Sequence, residues 1–304
     1  MRTSPAPLAF VAAVAAVAAA GSAGGRPVTG APECKLFPSS NHWNQRVDKL
    51  PVAGDSDAIV RSIGTERGLH ADFGSGKYNG GPIGIPYTTV SKSQKRVKVG
   101  FDYAGESDKG PYPIPKHVPI EAGSDRHAII VDRDRCRLYE LYAFNGGTHA
   151  GSGAIFDLSS NKVRHAGYTS ADAAGLPILP GLARYEELKR GGIDHALRFT
   201  VSRTRRAYVY PARHFASDST DPSLPRMGER LRLRADFDTS GYPKQARAVL
   251  KALKRYGMLV ADNGSDWYIS GSPSSGWSND QLHTLGGVLG RNFEVVDTSS
   301  LPRG

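Results

Sequence analysis

The stretch His127-Ala-Ile-Ile-Val-Asp132, Arg133-Asp134-Arg135, Cys136-Arg-Leu-Tyr-Glu-Leu-Tyr142 decides the fold. Two runs rich in apolar and β-branched residues flank a polar turn, which is the signature of a β-hairpin. Centring the turn on Asp132–Arg135 sets Val131 opposite Cys136, Ile129 opposite Leu138 and His127 opposite Glu140. Period-two alternation puts all six on one face, apolar near the turn and ending in a His–Glu pair. A cross-strand carboxylate stabilises an imidazolium and orients the ring, a start for acid–base chemistry.

A second stretch reads alike. His195-Ala-Leu-Arg-Phe-Thr-Val-Ser202 enters the turn Arg203–Arg206, and Ala207-Tyr-Val-Tyr-Pro-Ala-Arg-His214 returns. The same centring pairs Val201 with Tyr208, Phe199 with Tyr210 and His195 with His214, and leaves Arg198 and Thr200 on the opposite face. Pro211 points to an edge strand.

Further strands are expected at 85–90, 96–103, 153–158, 207–210, 230–237 and 258–262. One helix is clear at 243–256, where Ala246, Val249, Leu250, Leu253 and Tyr256 recur at helical spacing before Gly257. Short helices are expected near 58–63 and from Ser278. Many strands, few helices and abundant turn residues point to a mainly β fold, an antiparallel β-sandwich of jelly-roll type. Nothing alternates as strand and helix do in a Rossmann or barrel design.

The start of the chain reads as a secretory signal peptide over 1–23: Arg2, then an apolar run of roughly 13 residues, then Gly21-Ser22-Ala23. Residues 24–33, rich in Gly and Pro, read as a flexible lead-in, and 34–304 as a single β-rich domain. The chain is therefore expected to be secreted, with no membrane span. The two cysteines, Cys34 and Cys136, have only each other to pair with, and an oxidising compartment favours the bond.

A formal net charge of +10 suits polyanions outside the cell, such as acidic polysaccharides or wall polymers, rather than nucleic acid. Arg230, Arg232 and Arg234 alternate with Leu231 and Leu233, so they are expected on the solvent face of a strand. Three polar loops follow from composition: 70–76 with His70 and Asp72, 145–157, and 169–177 with Ser170 and Asp172. None is a phosphate loop or a nucleophile elbow. Asp262 ends a strand ahead of Asn263-Gly264, and Trp267 and Tyr268 offer a sugar-stacking platform or core packing.

Six segments carry a resemblance: HADFGSG (70–76), GPYPIP (110–115), GSGAIFDL (151–158), TSADAAGLPILPGL (169–182), HALRFTV (195–201) and YGMLVADNGSDW (256–267). They resemble a family of exported proteins of soil, actinobacterial-type bacteria, over nearly the whole mature chain. The resemblance implies export and one family-wide domain. It implies no activity and no catalytic residues.

The residue supply points to a secreted carbohydrate-active protein. A glycoside hydrolase needs two carboxylates about 5 to 10 Å apart, for which Asp72, Glu140, Asp172 and Asp262 are the candidates. A lyase on a uronate polymer would use arginine to neutralise the substrate carboxylate and His or Tyr to remove a proton. His70, His127, His195 and His214 complete the catalytic candidates. Arg198, Tyr210, Asp262 and Trp267 are the substrate-binding ones. No metal or other cofactor is expected. The alternative is a non-catalytic, lectin-like module on the cell wall. Convergence of His70 or Asp72, of His127 with Glu140, and of His195 with His214 in one hollow is the arrangement expected of an enzyme.

Overall fold

A computed structural model describes Met1 and residues 25–303. Apart from Met1, the signal segment read at 1–23 lies outside the described residues. In chain order the elements are β1 (Pro27–Val28), β2 (Ala31–Lys35), α1 (Ser56–Ile63), β3 (His70–Asp72), β4 (Tyr87–Val90), β5 (Ala128–Asp132), β6 (Arg137–Tyr142), β7 (Ser152–Asp157), α2 (Tyr185–Lys189), β8 (Leu197–Val201), β9 (Arg230–Leu233), α3 (Lys244–Arg255), β10 (Met258–Asn263), β11 (Tyr268–Ser270), α4 (Asn279–His283) and β12 (Phe293–Val295). The fold is mainly β, in a four-stranded sheet ordered β7-β6-β5-β4 and a six-stranded sheet ordered β12-β9-β10-β8-β11-β3, with smaller two-stranded pairs.

The sheets are mixed rather than antiparallel throughout. β4 runs parallel to β5, β8 to β10, and β11 to β3. Long connections make this possible: between β8 and β10 the chain passes through β9 and α3, enough to return in the same direction.

One apolar cluster takes residues from both sheets, among them Ile129, Val131, Leu138 and Phe156 from the first and Leu197, Phe199, Leu231, Val260 and Ile269 from the second. α3 packs Val249, Leu250 and Leu253 into it, as its spacing predicts. The alternate residues of the small sheet, Ala128, Ile130, Tyr139 and Leu141, enter a second cluster with Val99, Tyr112 and Phe144. The small sheet is thus covered on both faces.

Several expectations change. Across most of the segment expected as a loose lead-in, residues 27–35 form the β1–β2 hairpin, with Val28 and Ala31 buried. Cys34, at the end of that hairpin, is joined to Cys136 across 102 residues. The first hairpin exists, but its turn is centred later. Asp132 pairs with Arg137, leaving 133–136 as the loop, so Val131 meets Leu138 and Ile129 meets Glu140. The shift is two residues, which preserves the face and changes every partner.

The second hairpin does not form. β8 pairs with β10 and β11, while Tyr208 makes only an isolated bridge to Met227. Nor do the arginines of β9 all line a solvent face. Arg230 and Arg232 are buried beneath the 42–50 segment. Arg230 donates to the carbonyls of His42, Gln45 and Tyr256 at 2.7, 3.0 and 2.6 Å. Arg232 donates to Glu294 at 2.8 Å and to the carbonyl of Leu50 at 2.8 Å. Each guanidinium fork satisfies carbonyls of an irregular segment that no strand pairs. Among the described residues no helix is long and apolar enough to cross a membrane.

Candidate functional site

The site grows from the open face of the six-stranded sheet. β8 pairs Arg198 with Leu259 and Phe199 with Val260 on β10; the register then skips Ala261, so that Thr200 meets Asp262. Strict alternation would turn Asp262 to the side of Val260, into the apolar core. The bulge moves it to the side of Arg198, a re-aiming that bulges commonly perform. Thr200 also faces Tyr268, which faces His70; one step along, Ser270 faces Asp72. Arg198, Thr200, Asp262, Tyr268, Ser270, His70 and Asp72 therefore share one polar face.

Arg198 organises this face. Its Nε and Nη2 donate to the two oxygens of Asp172 at 2.8 and 2.7 Å, its Nη1 to Ser270 Oγ at 2.8 Å, and its Nη2 also reaches Asp262 at 3.4 Å. Four of its five N–H groups are thus engaged. Burial works against the charge, but Asp172 outweighs it and holds the guanidinium firmly protonated. The turn carrying Gly181 lies directly on this residue. A Cβ at Gly181 would come within 2.6 Å of the Trp43 ring and 2.8 Å of Arg198 Cβ, so a side chain there would lift the turn off the arginine.

Asp172 is wholly buried and arrives from the loop between β7 and α2. Ser170 Oγ accepts its backbone N–H at 2.9 Å, and the loop is pinned to the other sheet by His127. His127 Nδ1 donates to Glu121 at 2.6 Å and Nε2 donates to the Ala171 carbonyl at 3.1 Å. Both partners are acceptors, so the geometry calls for the doubly protonated ring. Burial opposes that charge, but Glu121 prevails and pushes the imidazolium up to about 9.

Beside this assembly lies a cleft of about 340 Å³, within the range of small-ligand sites. Tyr103, Asp125, Tyr142, Asp172, His214 and Asp262 are among its walls. Burial, reinforced by the charge of Asp172, pushes the Asp262 carboxyl up to about 7. Tyr142 lies within the fields of both Asp125 and Asp262, and its phenol is raised chiefly by burial. Tyr103 stands 57% exposed at the rim.

The predicted residues scatter unevenly over this geometry. Asp172, Asp262 and His214 line the cleft, with Arg198 buried behind it and bonded to Asp172 and Asp262. The His214 Nδ1 donates to the Ala173 carbonyl at 2.8 Å, and its Nε2 lies 3.7 Å from Glu106. His70 and Asp72 lie at the sheet edge. His70 stacks on Tyr268 at 4.1 Å, and Asp72 is raised by desolvation. Asp72 is three strands from Asp262, about 14 Å at ordinary strand spacing.

The two expected histidine pairings do not occur. His127 takes Glu121, because the later turn carries Glu140 past it. Glu140 is fully buried and accepts the N–H groups of Ile178 and Leu179 at 2.9 Å each. Burial, only partly offset by those bonds, pushes it up to about 7. His195 is buried with Arg184 and Glu187, lying 3.1 Å from the latter, well apart from His214. Tyr210 packs edge-on to His42 in a different hollow. Trp267 is core: it stacks on Phe293 at 5.0 Å and donates to the Gly64 carbonyl. Tyr268, its neighbour, takes the polar face.

Sequence reading missed Glu121, Asp125 and Tyr142. Tyr142 continues the Leu138–Glu140 alternation and was legible in it. Glu121 and Asp125 lie in an irregular segment whose side-chain directions no periodicity reports. Comparison with protein-family models, curated proteins and solved structures gives no match. The chemistry of the cleft is therefore read from its own residues.

Proposed function

We propose that the chain is a secreted glycoside hydrolase whose proton donor is Asp262. The observation that carries this reading is the bulge-aimed Asp262 carboxyl on the cleft wall, with its proton held to about pH 7. A carboxylic acid poised near neutrality is what protonation of a glycosidic oxygen requires. Asp125, on the same cleft, is the second carboxylate. Asp172 is spent on Arg198, Glu140 on backbone N–H groups, and Asp72 is too distant along the sheet. Tyr103 and Tyr142 offer aromatic surface to a sugar ring.

The lyase reading loses support, because the Arg198 charge is already matched by Asp172 in a two-pronged pair and four of its five N–H groups are engaged. The cleft, with Glu106, Asp125, Asp172 and Asp262 on its walls, suits a neutral saccharide. Reading the two sheets as layers of a sandwich belongs to the same proposal and is supported by the core they share, while their parallel pairs depart from an antiparallel jelly roll. Export is supported by the disulfide.

The test is a panel of neutral and acidic polysaccharides assayed for reducing ends and for unsaturated products. Release of reducing ends from a neutral glycan, lost in D262N, is expected. Binding without any product would replace this reading with the lectin-like one, and unsaturated products would restore the lyase.

A further inference from the structure

The strongest unassigned feature is a groove of about 430 Å³ between α3 and the segment that follows α2. Lys189, Lys244, Arg247, Lys251 and Arg255 line it. Four of them fall at i, i+3, i+7 and i+11 on α3. At 100° per residue they form one stripe, opposite the stripe of Val249, Leu250 and Leu253 that enters the core. Neighbours in the stripe stand about 5 to 6 Å apart. Lys189 lies over the Tyr185 ring, and Arg247 reaches only the Ser240 carbonyl at 3.4 Å. The one acidic residue of the groove, Asp194, is already paired with Arg26. Among the described residues no carboxylate neutralises the five cations.

Between the cations the walls are apolar, with Leu188, Ile193 and Ala248. Gly191 and Gly192 leave that side open, since a Cβ on either would meet nothing within 4 Å. A row of fixed positive charges over an apolar floor complements a chain that carries an anion on each ring and a C–H face between them.

We propose that this groove is a docking site for a linear anionic polysaccharide of the polyuronate kind, separate from the acidic cleft. The chain then holds a charged matrix polymer on one surface and presents a neutral saccharide to the other. The groove stands on its own charges and does not depend on the role of Asp262. Unpartnered exposed cations in series bind a polyanion mainly by releasing its counterions, so affinity falls steeply with salt.

The test is binding of fluorescently labelled polygalacturonate at low and high salt, with dextran and inorganic polyphosphate as comparison polymers. Wild type is expected to bind polygalacturonate with strong salt dependence and to ignore dextran. The variant K244S/R247S/K251S should bind at least about tenfold more weakly and with a shallower salt slope. The charge-keeping variant K244R/R247K/K251R should bind like wild type, and K251E alone gives a second reading should the triple variant fold poorly. D262N should bind the polymer unchanged, so failure of the groove and failure of the hydrolase reading are separable. The proposal is overturned if the serine variant binds as wild type does. It is equally overturned if K95S/K98S, which removes two exposed lysines outside the groove, weakens binding as much, or if polyphosphate binds as well as polygalacturonate.

Discussion

Asp172 and Arg198 form a two-pronged ion pair, with contacts of 2.7 and 2.8 Å, both side chains almost wholly out of solvent. Removing either partner strands a charge in the interior. D172N should therefore destabilise the fold by about 3 to 5 kcal/mol, while D172N/R198M, which removes both charges, should cost clearly less. Urea unfolding of the two variants checks this. With R198M measured beside them, a double-variant loss equal to the sum of the two single losses would mean the pair carries no coupling.

Asp262 links activity to stability. Its folded carboxyl titrates at about 7, against an ordinary value of 3.8. Between those values the folded chain keeps a proton that the unfolded chain has lost. Its contribution to stability is therefore greatest below about pH 4 and falls as pH rises through 7. D262N should match wild type in melting temperature near pH 4 and exceed it at pH 8. Turnover should fall by about 100-fold or more, and the alkaline limb of the wild-type pH profile should lie near 7. A variant less stable at pH 8 than at pH 4, relative to wild type, would contradict the placement.

His127 shifts stability in the same direction as Asp262, over a higher pH window. Its folded ring titrates at about 9, above the ordinary 6.5, because Glu121 outweighs burial. The stabilisation is fully present below about pH 6.5 and is lost as pH rises through 9. H127Q should be markedly less stable than wild type at pH 6, with the gap closing by pH 10. Melting curves across that range decide it, and a gap independent of pH would rule the ion pair out.

The Cys34–Cys136 bond closes a loop of 102 residues. In the chain-entropy account this is worth up to about 4 to 5 kcal/mol. C34S/C136S should melt well below wild type in non-reducing buffer, and added reductant should lower wild type to the same level. Because the bond ties the β1–β2 hairpin to the loop ahead of β6, limited proteolysis should attack residues 25–35 first in the variant.

Trp267 and Tyr103 separate core from cleft. W267A empties a fully buried site and should cost about 3 to 5 kcal/mol. Y103A removes an exposed ring, should leave the melting temperature within about a degree, and should weaken saccharide binding. Calorimetry and ligand titration read the two effects apart.

Local pattern carried much of this protein. The spacing of Ala246, Val249, Leu250 and Leu253 was enough for α3, and the alternation of 127–142 for the first hairpin and its buried face. Two cysteines left only one pairing. Asp172, Arg198, Asp262 and His214 were legible only as separate candidates on four different segments. The partners were not legible. Whether Ile129 meets Leu138 or Glu140 depends on where a polar turn closes, and sequence leaves that open by two residues. That β8 seeks β10 and β11 instead of the nearer 207–210 segment is a long-range choice, made by the core that α3 and β10 complete. The arginines of β9 look solvated until the 42–50 segment covers them with carbonyls. The bulge at Ala261 that turns Asp262 from core to cleft appears only once two distant strands are paired. Periodicity reports the face a side chain takes on its own strand, because that is set by the backbone within a few residues. Which groups meet across that face is set by contacts far apart in the chain, and only the tertiary structure decides them.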